Sequence, residues 1–378
     1  MPMNRLLHIS ALVTLAFLST QCNPEAKNDK ASPGNDSLIQ HAELLSVIRH
    51  ENYTDVQITN PWDTTRLLHR YLLVPRGSEL PQGLPQGTVV KTPLENSLVY
   101  SSVHISALDM LKAIDQIGGV CDLTYIKTPG LLARARAGKV TDAGNSMTPD
   151  IEQVMALSPD AILLSPFENA GYGRIGKMGI PIIECADYLE TSPLGRAEWI
   201  KLFGLLYGKE TEADSIFALI ERQYTQLAGL MKSAGHKPTV ISELKSGSAW
   251  YMPGGKSYMA RLFADAGADY PWSENDESGS IPLSFETVFA RAGHADIWLV
   301  KSFHVGSLTY ETLQKEYAPY ARFKAFATRK IYKCDTALCN YYEETPFRPD
   351  LLLQELSALF HPELFPQYTF RYYQPLPE

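Results

Sequence analysis

Two stretches of this chain repeat one chemical pattern. TPDIEQVMALSPDAILLS (148–165) and SFETVFARAGHADIWLV (284–300) align Glu152 with Glu286, Val154 with Val288 and Ala156 with Ala290. After a two-residue gap Asp160 meets Asp296, and an apolar strand follows each. Each Glu falls in or near the first turn of a short helix, where the helix dipole favours a carboxylate. Two like carboxylates held apart on separate elements can also dock bidentate arginine pairs and set the register of a partner. Hydrolytic chemistry finds no support: there is no G-x-S-x-G elbow and no H-E-x-x-H, and the nine histidines are scattered without a helical ligand pair.

Glycine motifs point to loops rather than phosphates. Gly171, Gly173 and Gly176 in GYGRIG spell G-x-G-x-x-G after an apolar strand. A dinucleotide site needs a helix of several turns there, with its N-terminus facing the pyrophosphate. Gly179 and Pro181 end any helix within about two turns, and no acidic residue is well placed about 20 positions on. Gly254, Gly255, Lys256 and Ser257 resemble the end of a phosphate-binding loop, but Trp250 stands where the earlier glycine is required. Cys121 and Cys185 sit in apolar segments and read as buried thiols. Cys334 and Cys339 bracket the loop-like CDTALC, where an exported chain can close a local disulfide. Their spacing matches no standard zinc pattern.

Around these residues apolar strands alternate with amphipathic helices, the pattern of an α/β fold. Strands are expected at 97–101, 140–143, 161–165, 181–184, 239–242, 297–301 and 330–332. Helices are expected at 104–114, 149–157, 195–207, 210–232, 257–266, 285–292 and 349–360. Near 50–95, LLVP and TVVK with Pro and Gly between them read as a β-rich addition. The helix from Glu210 to Lys232 stands apart by its length, about 35 Å. Ile216, Phe217, Leu219, Ile220, Leu227, Leu230 and Met231 give it a broad apolar stripe. It can run along two lobes, and the two glutamate-bearing repeats lie on opposite sides of it. The expected division is a first lobe at 38–209, a bridging helix at 210–233 and a second lobe at 234–378.

The 378 residues are 45% apolar and 20% charged, with a formal net charge of -8. Disorder, collagen and simple coiled coil are excluded as global descriptions. An acidic chain without a basic block lacks the clustered Lys and Arg that neutralise phosphates, so nucleic acid is not an expected partner. At the N-terminus Arg5 precedes the apolar run Leu6–Leu18, too short to span a bilayer and suited to a signal peptide at 1–21. Cys22 follows directly. An apolar segment ending at Cys resembles a bacterial lipoprotein signal, in which Cys22 is acylated, although Gln21 stands where a small residue is usual. Residues 22–37 then read as a flexible tether. The expected location is the periplasmic or cell-surface side of a bacterial membrane, touched only through the lipid.

Two lobes, one long bridging helix, an exported acylated chain and paired glutamates together resemble the periplasmic substrate-binding proteins of ABC importers for iron–siderophore, haem or cobalamin complexes. The resemblance covers about residues 97–362. It is carried by DIEQVMALSPDAILLS, GIPIIE (179–184), the helix pair from Leu194 to Lys232, WYMPGGKSYMARLFADAGAD (250–269), SFETVFARAGHADIWLV and RPDLLLQELSALFHPE (348–363), in that order. The resemblance implies the class III α/β architecture, two Rossmann-like lobes bridged by one long α-helix. It implies a monomeric binding protein rather than an enzyme, with no cofactor of its own. The ligand would be a metal chelate, foremost a ferric siderophore or other iron complex, with cobalamin or haem as the alternative. A free zinc or manganese receptor is a further alternative on the same lobes.

The resemblance also implies a small closure motion, restricted by the bridging helix, and docking of Glu152 and Glu286 on arginine clusters of the importer's membrane subunits. Open α/β sheets bind ligands beyond their strand C-termini. That rule picks Ser101, Ser102 and His104 after one strand, and Phe167, Glu168 and Tyr172 after another. In the second lobe it picks Trp250, Tyr251, Phe303 and His304, with Tyr341 and Tyr342 before the final helix. Aromatic walls suit a flat or hydrophobic chelate. Arg174 and Lys256 are candidates to pair with anionic siderophore or propionate groups. His104, His304, Tyr341 and Tyr342 are candidate ligands for haem iron.

Overall fold

A computed structural model describes residues 38–303 and 308–378. The expected signal peptide, Cys22, the tether and His304 lie outside the described residues. Among the described residues no helix is long and apolar enough to cross a membrane.

The first lobe is built on a five-stranded parallel sheet. Across the sheet the strands run Ile182–Glu184, Ala161–Leu164, Ser97–Val99, Ile117–Val120 and Thr141–Asp142. Leu98 pairs with Ile162 on one side and Gly119 on the other. A parallel sheet needs both faces covered, and Ala161–Leu164 is buried at every position. Val99 and Leu163 pack with Ile105, Leu108 and Phe203 on one face. Leu98, Ile162 and Leu164 pack with Val154 and Ile175 on the other. The strand order reverses between Ser97–Val99 and Ala161–Leu164, the switch point where such sheets leave a crevice.

In the second lobe Val240–Ser242, Ile297–Ser302 and Ile331–Asp335 run parallel, and Tyr373–Pro375 closes the sheet antiparallel. A three-stranded antiparallel sheet of Lys245–Ser246, Ala249–Pro253 and Ser280–Leu283 accompanies it. The core here is aromatic: the rings of Trp250 and Trp298 lie 5.4 Å apart, and both approach Tyr320 and Phe323.

The two sequence repeats fold alike. Asp150 caps the helix Ile151–Leu157 and Ser284 caps Phe285–Ala292, each side chain accepting a first-turn N–H. Asp160 Oδ2 accepts the N–H groups of Glu95 and Asn96, at 2.8 and 3.1 Å, just ahead of one strand. Asp296 Oδ2 accepts that of Thr239, at 2.9 Å, just ahead of another. Each carboxylate also meets a cation, Arg76 and Lys324 respectively. The aligned aspartates therefore share one structural task, satisfying backbone donors where a parallel strand of each lobe begins.

The bridging helix is Glu210–Met231, 22 residues and about 33 Å long. Ala213, Phe217, Ile220, Tyr224, Ala228 and Met231 are buried at intervals of three and four residues. Ala213, Phe217 and Ile220 join the core of the first lobe, while Tyr224 and Ala228 join that of the second. The stripe is narrower than expected, since Leu219 and Leu230 are exposed. The expected helix at 195–207 divides around Trp199 into Pro193–Glu198 and Ile200–Tyr207. Gly204 lets the latter approach the bridge closely, because a Cβ placed there would stand 2.6 Å from that of Ala213.

The β-rich addition is a four-stranded sheet. Leu45–Arg49, Thr54–Thr59 and Leu67–Pro75 are antiparallel, and Thr88–Thr92 runs parallel to the third. Polar groups fasten it to the first lobe. The Tyr71 hydroxyl donates to the Ile182 carbonyl at 2.8 Å and accepts from the Glu184 N–H at 2.9 Å. That covers part of an edge strand whose backbone groups need partners. The buried carboxylate of Glu198 accepts the N–H groups of Gln40, His41 and Ala42, and Glu190 accepts those of Glu43 and Leu44.

Candidate functional site

A cavity of about 960 Å³ lies at the switch point of the first lobe, beyond the strand C-termini. Tyr100, Ser101 and Ser102 follow the strand at 97–99, Cys121 and Asp122 follow that at 117–120, and Ser165 and Phe167 follow that at 161–164. Tyr125, Met147 and the loop Gly171–Ile175 complete the wall. Ser101 is held as a helix cap, its oxygen accepting the Val103 N–H at 3.2 Å. Burial, reinforced by Asp122 and Asp142, pushes the Cys121 thiol up to about 12, so it remains protonated.

A second compartment of about 440 Å³ lies between the lobes and shares Ser102 and Tyr125 with the first. Lys127 enters it from the first lobe; Lys301, Phe303, Cys339, Tyr342 and Glu343 enter from the second. Lys127 ties the two sides together. Its Nζ donates to the carbonyls of Thr336 and Cys339, and its backbone N–H to Glu343 Oε1 at 2.9 Å. Burial opposes the charge of Lys301, but the paired Glu243 carboxylate outweighs it and raises the ammonium above its ordinary range. Arg174 is exposed in the larger wall and has no ion pair among the described residues. Tyr125, Phe167, Phe303 and Tyr342 all line the cleft and are all between 52% and 65% exposed. Clustered exposed aromatics of this kind mark a binding surface.

The expected site residues divide. Ser101, Ser102, Phe167 and Tyr172 stand in the larger cavity, together with Arg174, and Ser102, Phe303 and Tyr342 stand in the smaller. Six other placements need correction. His104 is buried, its Nε2 2.9 Å from Asp187 Oδ1, because its helix turns His104, Ile105 and Leu108 toward the core. Trp250 is buried with Nε1 donating to the Ser242 carbonyl at 3.0 Å, and strand alternation turns Tyr251 to the opposite face, outside both cavities. Tyr341 packs edge-on against Tyr372 and Tyr373, while its helical neighbour Tyr342 takes the cleft position. Lys256 pairs at the surface with Asp276 at 2.7 Å, and Glu168 is exposed outside both walls. His104 and Tyr341 are therefore withdrawn as ligands for a bound haem.

Tyr100, Cys121, Tyr125, Lys127, Lys301 and Glu343 line the cleft without having been expected there. Tyr100 and Lys301 adjoin expected strand ends, a signal within reach of the same rule. Cys334 and Cys339 are free thiols with Sγ atoms 3.6 Å apart. Among the described residues no three His, Cys, Asp or Glu side chains are grouped to hold a metal ion. Glu152 and Glu286 are both exposed, each in the first turn of its helix.

The chain matches other proteins over the same region. Residues 102–338 match the family model described as periplasmic binding protein. An uncharacterized lipoprotein of Methanocaldococcus jannaschii is 27% identical over 286 residues, covering 73% of this chain and 67% of that protein. A periplasmic heme binding protein of Vibrio cholerae shares the fold, with a TM-score of 0.57, 17% identity, and coverage of 71% of this chain and 100% of the other. A possible iron-binding periplasmic solute-binding protein of Staphylococcus epidermidis gives a TM-score of 0.55 at 17% identity, covering 71% of this chain and 99% of the other. With two lobes, a bridging helix and a family match spanning most of both, this chain belongs to the periplasmic binding protein family.

Proposed function

We propose that this chain captures a metal chelate, foremost a ferric siderophore or another iron complex, between its lobes and delivers it to an ABC importer. The observation that carries this reading is the cleft. Its larger compartment, about 960 Å³, is at the upper end of the range of roughly 300–1,000 Å³ for small-molecule sites. Tyr100, Tyr125, Phe167 and Tyr172 give it flat apolar area with phenolic edges. Such a wall favours a complex whose metal is already wrapped by its own chelator; a bare divalent ion is held by converging His or carboxylate donors. Arg174 supplies positive charge for carboxylates of a siderophore or for propionates. Haem and cobalamin fit the same chemistry and are the alternative. The similar structures described as iron-binding and heme binding support this class of ligand.

The reaction is binding and release, with no bond made or broken in the ligand. Glu152 and Glu286 would meet arginines of the importer, one from each lobe, and their exposure in capped first turns supports that role. The chain would act outside the cytoplasm, tethered by lipid on Cys22. Absorbance spectra after incubation with haemin, cyanocobalamin and ferric siderophores, followed by calorimetry, test the assignment. One class of chelate should bind tightly without turnover, and failure of all three removes the proposal.

A further inference from the structure

The sheet at 45–92 lies outside the stretch matched by the family model, yet a continuous line of hydrogen bonds runs from it to the cleft. Tyr172 stands in the wall of the larger cavity, and its hydroxyl donates to Glu184 Oε1 at 2.5 Å. Glu184 Oε2 lies 3.0 Å from His69 Nδ1, and His69 Nε2 lies 2.8 Å from Thr88 Oγ1. A carboxylate oxygen accepts, so the imidazole donates from Nδ1 and the Thr88 hydroxyl serves its other nitrogen. His69 and Thr88 belong to the strands Leu67–Pro75 and Thr88–Thr92. The His69 ring stacks on Tyr71, centroids 4.4 Å apart, and Tyr71 in turn binds the backbone of Glu184. The buried Glu184 is thus gripped by the appended sheet at both its main chain and its carboxylate. Tyr172 has a φ of 43°, unfavourable for a bulky residue and maintained only where the surroundings dictate it.

We propose that Glu184 and His69 are positioning residues that hold the Tyr172 hydroxyl in one orientation at the cleft wall, making the appended sheet part of the ligand-binding apparatus. The phenolic proton is committed to Glu184, so the oxygen offers the cleft its lone pairs. Tyr172 then accepts a hydrogen bond from the ligand and does not bind ferric iron as a phenolate. Burial, and then the Glu184 carboxylate, push its pKa up in the same sense. The inference rests on the cleft being the ligand site.

The test places 3-fluorotyrosine at position 172 of the full chain and reads its fluorine resonance. His69→Phe keeps the stack on Tyr71 and removes both ring nitrogens. The resonance should move although residue 69 is two hydrogen bonds away, and His69→Asn, which retains a donor near the Nδ1 position, should restore it. Thr88→Val, at the far end of the line, gives the same readout should His69→Phe not fold. For whichever of haemin, cyanocobalamin or ferric desferrioxamine binds, His69→Phe and Tyr172→Phe should each weaken affinity about threefold to tenfold. The double variant should be no weaker than Tyr172→Phe alone. An unmoved resonance, fully additive losses, or a phenolate-to-iron absorption band that Tyr172→Phe abolishes overturns the inference. A chain that binds none of the probes while its resonance still follows His69 refutes the chelate reading and leaves the positioning role standing.

Discussion

Replacing Lys127 with methionine keeps the aliphatic stem and deletes the ammonium that reaches from the first lobe to the Thr336 and Cys339 carbonyls of the second. A hydrogen bond from a charged donor contributes about 1.5–3 kcal/mol net. Lys127 is only half-buried and regains water when the lobes part. The two bonds together are therefore set at about 1.5–3 kcal/mol, half the simple sum. The main-chain bond from Lys127 to Glu343 survives the substitution. A loss of this size moves the balance between the present lobe arrangement and a more open one by about tenfold to a hundredfold. The amplitude stays small, because Phe217 and Tyr224 anchor one rigid helix in both cores. Single-molecule energy transfer between dyes at the exposed Lys139 and Gln314, one on each lobe, reads the change. Lys127→Met should add a population at longer distance in the ligand-free chain. An unchanged distance distribution would show that Lys127 does not hold the lobes together.

Charge reversal at Glu152 and Glu286 should abolish importer-dependent uptake while calorimetry finds ligand affinity intact; uptake that persists in the double variant removes the docking role. Asp187 is buried between His104 at 2.9 Å and Arg196 at 3.3 Å, so Asp187→Asn should cost about 3–5 kcal/mol in urea unfolding. Burial pushes that carboxyl up, but His104 and then Arg196 outweigh it and hold it below its ordinary value of 3.8. A carboxyl depressed in the folded state contributes stability above its unfolded pKa and loses it as pH falls through the folded one. Wild-type stability should therefore drop below about pH 3.8 more steeply than that of Asp187→Asn; parallel profiles would exclude the linkage. Gly204→Ala forces a methyl against Ala213 and should lower stability by about 1–3 kcal/mol, read as a shift in the urea midpoint at constant slope, whereas an unshifted midpoint would mean the helices separate freely.

How much of this was legible in the sequence depended on whether periodicity or side-chain direction was at stake. The bridging helix shows in its three- and four-residue apolar spacing, and the repeat alignment of Asp160 with Asp296 survives in their common role at strand starts. The lobes were legible for the same reason: buried parallel strands such as AILL at 161–164 read as short apolar runs. Direction was harder. The strand-end rule picked Tyr341 together with Tyr342 and Trp250 together with Tyr251, yet of these four only Tyr342 lines the cleft, because one step turns a side chain across a strand or by about 100° around a helix. The strand Ile117–Val120 escaped because its IGGV contains two glycines and shows no alternation, so Cys121 and Asp122 at its end were not placed. The line from His69 to Glu184 joins residues 115 apart, and no local pattern marks such a contact.

Titration calorimetry of the full chain with haemin, cyanocobalamin and a ferric siderophore, each checked by absorbance, bears most directly on whether the cleft holds a chelate. One of the three should bind one-to-one and release unchanged on denaturation, with binding weakened by Phe167→Ala in the wall of the larger cavity. Binding of free zinc with indifference to all three chelates would contradict it.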